Sequence, residues 1–133
     1  MPFLLDTNVC VGILTGRSPK VVDKVRQLNP SEVRVCSVVR AELLFGARNS
    51  SRVEANLGLL DTFLAPFTSV PFDDLAADYY GRIRADLHRA GELIGPNDLL
   101  IAAMVLANNL VLVTHNVKEF GRVPGLRWVD WEN

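Results

Sequence analysis

The stretch Phe3-Leu4-Leu5-Asp6-Thr7-Asn8 decides the fold. Three apolar residues run straight into an acid, a hydroxyl and an amide. So short and continuous an apolar run reads as a strand buried on both faces, the form that parallel sheets use. Asp6 then ends the strand and is placed to cap a following helix. The arrangement recurs twice. Val33 to Val39 is a second, β-branched run, with Glu42 just beyond it. Leu110-Val111-Leu112-Val113 is a third, and Asp98 opens the helix that leads into it.

Between these runs the pattern is helical. Residues 8–15 form a short helix closed by Gly16. Ser18 and Pro19 suit the N-cap and first position of a second helix, with Val21, Val22, Val25 and Leu28 as its apolar face and Asn29-Pro30 as its stop. Ser37 is placed to cap a helix over 38–48, which puts Glu42 in its second turn. Ser51-Arg52-Val53-Glu54 reads as a capping box for the next, which runs through Leu57, Leu60 and Leu64 to Pro66. Thr68 to Phe72 is a weaker strand. Asp73 caps a long helix, with Ala76, Tyr80, Ile83 and Leu87 inward and Gly91 at its end. Gly95-Pro96 starts another, with Asp98 at N3, and Leu99 to Ala107 is apolar almost all round, as in a central buried helix. A turn or short helix at 116–120 and a strand near 126–129 close the chain. Strands alternating with helices predict an α/β fold, a three-layer α/β/α sandwich around a short parallel sheet, as one domain over residues 1–133.

In such sheets ligands bind beyond the carboxyl ends of the strands. Asp6, Glu42 and Asp98 all fall at that edge. Three converging carboxylates repel: one like-charge pair at ~4 Å costs about 4 kcal/mol at an effective dielectric of 20. A cation relieves the repulsion, and an all-oxygen donor set suits Mg²⁺ or Mn²⁺ rather than zinc. Each acid also has a structural reading, as helix cap, solvated helix residue or partner of the helix dipole.

Composition narrows the function. The net charge of −1 excludes a general polyanion binder, so any nucleic-acid contact comes from a local Arg/Lys cluster. No apolar run reaches the ~20 residues that span a bilayer, and no signal peptide is visible at the N-terminus. Cys10 and Cys36 lie in apolar surroundings and read as buried, reduced thiols of a cytoplasmic protein. Arg17, Lys20, Lys24, Arg26, Arg82, Arg84 and Arg89 read as a solvated face. Arg40 and Lys118 flank the acidic edge and are the candidates for phosphate contacts. His88 reads as solvated. His115 adjoins the edge, where the bland reading is a packed or surface residue and the sharp one a base. Thr114 and Ser37 offer hydroxyls there, either to a carboxylate or water or as helix caps. The Tyr79-Tyr80 pair reads as core rather than a stacking platform.

These residues resemble a known family. Leu4-Leu5-Asp6-Thr7-Asn8, Arg40-Ala41-Glu42-Leu43 with Gly46, Ile94-Gly95-Pro96-Asn97-Asp98, Leu112-Val113-Thr114-His115-Asn116 with Glu119-Phe120, and Val123-Pro124-Gly125-Leu126 through Asp130-Trp131 occur in the order seen in PIN domains. The match is specifically to VapC-type toxin ribonucleases of toxin–antitoxin pairs. The resemblance implies a Mg²⁺-dependent endoribonuclease with Asp6, Glu42 and Asp98 in the site, Asp6 and Asp98 holding the metal. It implies an RNA substrate, with tRNA the expected class, a VapB-like antitoxin laid across the toxin, and a homodimer. The family often carries a fourth acid after the fourth strand. Here that position is Asn116, placed to hold a water or orient Asp6, with Glu119 three residues on. Two other functions compete. One is a phosphatase using Asp6, which wants a second Asp where this chain has Asn8. The other is a degenerate PIN-like module that only binds a partner.

Overall fold

The computed structural model describes residues 1–132. The chain runs β1 (Phe3–Leu5), α1 (Thr7–Leu14), α2 (Pro19–Gln27), a 3₁₀ turn (Pro30–Glu32), β2 (Val33–Cys36), α3 (Ser37–Arg48), α4 (Val53–Leu64) and β3 (Thr68–Val70). It continues as α5 (Asp74–Ala90), α6 (Pro96–Ala107), β4 (Val111–Val113), α7 (Val117–Phe120) and β5 (Trp128–Val129). The five strands form one sheet in the order β3-β2-β1-β4-β5, and every pairing is parallel.

Successive strand residues point to opposite faces. Leu4 and Leu5, Val35 and Cys36, and Leu112 and Val113 are all fully buried. Both faces of the sheet are therefore covered, as the α/β/α reading requires. From Ile101 to Val105, α6 is buried on every side. It packs against α5, whose inward residues Ala76, Ile83 and Leu87 are buried. Burial of 29 apolar residues in one cluster supplies the main driving force.

The helix ends show where local signals acted. Asp6 accepts from the Thr7 amide, and Asp73 from the Ala76 amide. Gly91 ends α5 at φ 69°, a left-handed conformation that costs glycine little. Three expected caps differ. Ser18 stands at the N-cap of α2, but its hydroxyl donates to Glu132. Ser37 is the first residue of α3 rather than its cap, and its hydroxyl donates to the Val70 carbonyl across the β2–β3 edge. Arg52, not Ser51, stands at the N-cap of α4, and no side chain caps that helix. In each case a hydroxyl has a competing partner or the helix starts one residue later than the motif implies. β3 is also shorter than expected, ending at Val70.

Chain order reverses at β1. The path runs outward from β1 through β2 to β3, then returns to β4 on the other flank. The crevice at the carboxyl ends of β1 and β4 is the switch point where ligands bind in such sheets.

Candidate active site

Asp6 lies at that crevice, between β1 and α1, 5% exposed. Its amide donates to the Val113 carbonyl of β4, which fixes the backbone. The Thr7 amide donates to Oδ1, and the Thr114 hydroxyl donates to Oδ2 at 2.8 Å. Burial raises the Asp6 carboxyl above its ordinary range; the bonds from Thr114 and Thr7 oppose this, and the Glu42 charge adds to it.

Glu42 reaches the same crevice from the second turn of α3. The Thr7 hydroxyl donates to its Oε1 at 2.8 Å. One dipeptide thus anchors two acids: the Thr7 amide serves Asp6 and its hydroxyl serves Glu42. Nothing in the sequence pattern signalled that pairing, beyond a hydroxyl placed directly after the acid.

Asp98 sits at N3 of α6, half-buried. Its carboxyl is pushed up to about 8, first by burial, then by a hydrogen bond with Glu119 and by the charges of Asp6, Glu119 and Glu42. Glu119 moves the other way. The bond with Asp98 lowers it most, helped by Asn116, the Gly95 amide and Arg122. The two carboxyls are thus pushed in opposite directions, Asp98 up and Glu119 down.

Asn116 is the N-cap residue of α7. Its Nδ2 donates to Asp98 Oδ2 at 3.3 Å and to Glu119 Oε2 at 3.0 Å. Its side chain therefore orients Asp98 and Glu119, not Asp6 as the sequence suggested. Its link to Asp6 is indirect, since the Asn116 amide donates to the Thr114 hydroxyl. The Gly95 amide completes the Glu119 anchor at 3.3 Å, and a Cβ at Gly95 would lie 3.8 Å from Asp98 Oδ2 and 4.0 Å from Glu119 Oε2.

The remaining candidates lie around this core. Lys118 is exposed in α7 beside Glu119. Arg40 is half-buried in α3, two residues before Glu42. That spacing turns it about 200° around the helix from Glu42. His88 is exposed, and Tyr79 and Tyr80 are half-buried against the core with Arg82 and Arg84 over their rings. His115 is exposed and pairs with Asp130, its Nδ1 2.9 Å from Oδ2.

Asp6, Glu42 and Asp98 share one electrostatic environment without closing into a tight ligand set. Among the described residues, the acidic and histidine side chains whose donor atoms all lie within 4.8 Å of one another are His115, Asp130 and Glu132. No lysine or arginine bridges to Asp6, Glu42 or Asp98 among the described residues. The donor set is all oxygen, and burial and mutual repulsion raise two of its members. A divalent cation with oxygen preference fits this excess of negative charge.

Sheet topology and acidic crevice together define a class. A PIN domain family model matches residues 3–126. The tRNA(fMet)-specific endonuclease VapC of Shigella flexneri is 37% identical over 131 residues, spanning 98% of both chains. Ribonuclease VapC2 of Rickettsia felis is 37% identical over 133 residues, spanning 99% of both. Among solved structures, VapBC2 from Rickettsia felis bound to a promoter DNA fragment superposes with a TM-score of 0.92 at 36% identity, covering 98% of this chain and 99% of that one. VapBC-1 from nontypeable Haemophilus influenzae superposes with a TM-score of 0.90 at 33% identity, covering 100% of both. The chain belongs to the PIN-domain family and, within it, to the VapC ribonucleases.

Proposed function

We propose that this chain is a divalent-metal-dependent endoribonuclease toxin that hydrolyses tRNA and is restrained by a VapB-like antitoxin. The observation that carries the reading is the gathering of Asp6, Glu42, Asp98 and Glu119 at the switch point, where burial, the bond with Glu119 and the neighbouring acids push Asp98 up to about 8. The relatives named as ribonucleases and as tRNA(fMet)-specific endonucleases support the substrate class. tRNA places the enzyme in the cytoplasm, and no helix among the described residues is long and apolar enough to cross a membrane.

The cation, Mg²⁺ or Mn²⁺, would supply charge neutralisation at the phosphate oxygens and a more acidic water. The chain supplies the rest. Asp6 and Asp98 would hold the cation, Asp6 clamped by Thr7 and Thr114 and Asp98 by Asn116. Glu42, tethered by Thr7, accepts a hydrogen bond from the attacking water and aims it at phosphorus. Glu119 is the fourth acid, supplied three residues after the usual position and held by Asn116 and Gly95. Lys118 and Arg40 are the cations nearest in sequence to the acids for backbone phosphates. The new bond joins water oxygen to phosphorus, the phosphorus–O3′ bond breaks, and the proton the water gives up ends on the leaving O3′.

An antitoxin segment has a surface to lie on. An apolar groove of about 320 Å³ lined by Thr7, Val11, Leu14, Leu43, Leu59 and Leu60 runs up to Glu42. Leu59, which lines it, is 63% exposed, and Phe45, next to the lining residue Gly46, is 69% exposed, so apolar side chains stand open at the groove. Solved relatives were obtained as VapBC complexes. A homodimer is the default for a toxin of this build.

The test is cleavage of tRNA by the purified chain with and without EDTA, beside Asp6→Asn. Metal-dependent cleavage lost in the variant supports the reading. Intact tRNA under all conditions, with antitoxin absent, supports the binding-module alternative.

A further inference from the structure

The three residues Thr114, His115 and Asn116 leave β4 in sequence, and each makes a different tertiary bond. Thr114 donates to Asp6, and Asn116 donates to Asp98 and Glu119. His115, between them, points the other way, onto the C-terminal turn. Its Nδ1 lies 2.9 Å from Asp130 Oδ2 and 3.6 Å from Glu132 Oε2. That turn is itself braced. The Glu132 amide donates to Asp130 Oδ1 at 3.0 Å, and Ser18 donates its hydroxyl to Glu132 Oε1 at 3.0 Å. Ser18 in turn sits against Gly12, where an added Cβ would come within 2.5 Å of its hydroxyl oxygen. The result is a continuous line of contacts from α1, through Ser18, Glu132 and Asp130, to His115.

We infer that His115 and Asp130 form a positioning strut, which holds the 114–116 loop so that Thr114 and Asn116 present Asp6, Asp98 and Glu119 in one arrangement for the cation and the RNA. The inference rests on the ribonuclease reading, and it gives His115 a role other than base. Two features favour it. The side chains of Thr114 and Asn116 are committed to the acids, so His115 supplies the side-chain tie between this loop and the C-terminal turn. The strut also needs only a donor at position 115, because Asp130 accepts in either charge state of the ring. Groups that orient metal-holding side chains typically matter about 10–100-fold in metal affinity or activity. A displacement of about 1 Å in a catalytic group can cost on the order of 100-fold in rate.

The experiment compares wild type, His115→Ala and His115→Asn, the last keeping an amide donor near the position of Nδ1. Two quantities are read for each: the Mg²⁺ concentration that half-saturates thermal stabilisation, and kcat and KM on tRNA. The strut predicts that His115→Ala raises the Mg²⁺ midpoint about tenfold and lowers kcat by a similar factor, with KM unchanged. It predicts that His115→Asn restores both. A His115→Ala protein that matches wild type in both readouts overturns the strut. So does a loss confined to KM, which would make His115 a substrate contact, or a loss that His115→Asn fails to repair. If wild type is stabilised by Mg²⁺ but cuts no RNA, the ribonuclease reading fails and the Mg²⁺ midpoints alone decide the strut.

Discussion

Thr114 gives its hydroxyl proton to Asp6 Oδ2 at 2.8 Å, joining the ends of β4 and β1 across 108 positions of sequence in the buried part of the site. The Thr114 hydroxyl oxygen in turn accepts from the Asn116 amide, so one hydroxyl ties the deepest acid to the loop that orients two others. A site built this way responds to changes that leave its acids untouched.

Thr114→Val tests that dependence. Valine keeps the shape and removes the donor, leaving a buried carboxylate oxygen and the Asn116 amide without their partner. The expected loss is about 1–3 kcal/mol of stability at neutral pH. The Asp6 carboxyl, already raised by burial, rises further. The acid limb of the pH–rate profile should therefore move to higher pH, read from kcat/KM between pH 5 and 9.

Asp6→Asn should abolish cleavage and leave the protein folded. The amide keeps the size and can still accept the Thr7 amide bond, while the charge that holds a cation is gone. Removing one of several repelling carboxylates should hold or raise the thermal midpoint of the metal-free protein. Circular dichroism melting checks the fold beside a tRNA cleavage assay.

The metal-free protein should lose stability as pH rises from about 4 to about 8. Asp98 binds its proton up to about 8 in the folded chain, against 3.8 as its ordinary value. Within that window the folded state holds a proton that the unfolded state has released, so the slope is negative. Glu119 is lowered, so its contribution is lost only as pH falls below its ordinary 4.5, at the acid edge of this window. His115, raised by Asp130, adds a loss in the same direction above 6.5. Asp6, raised by burial, adds to the same fall. Urea midpoints in EDTA should fall across the window, and Asp98→Asn should flatten part of that fall. With saturating Mg²⁺ the cation competes with the proton, and stability should instead gain with pH.

Gly12→Ala should destabilise the fold. The new methyl meets Ser18 Oγ at 2.5 Å on a buried face of α1, and the serine or the α1–α2 turn has to shift. Overpacking of this kind costs about 1–3 kcal/mol. A denaturant midpoint below wild type checks it.

Much of this was legible in the residues. The apolar runs located β1, β2, β4 and β5, and the parallel sheet followed from their alternation with helices. Asp6 and Asp98 were findable because short-range signals fix them: a strand end for one, a Gly-Pro helix start for the other. Less was legible wherever a side chain chose between local and distant partners. Ser18 and Ser37 look like caps, but they bond Glu132 and Val70, which are 114 and 33 positions away. Asn116 faces Asp98 rather than Asp6 because the loop after β4 turns towards α6, a direction that no periodicity encodes. The His115–Asp130 pair needs β4 and β5 side by side before it can be seen at all.

The ends of the cleaved RNA test the central claim most directly. Purified chain, free of antitoxin, is incubated with tRNA and Mg²⁺, and the products are weighed by mass spectrometry beside EDTA and Asp6→Asn controls. Water attacking phosphorus at the acidic crevice leaves a 5′-phosphate and a 3′-hydroxyl, and both controls are silent. A 2′,3′-cyclic phosphate that persists in EDTA contradicts the account, removes the cation from the chemistry and moves the reacting group to His115.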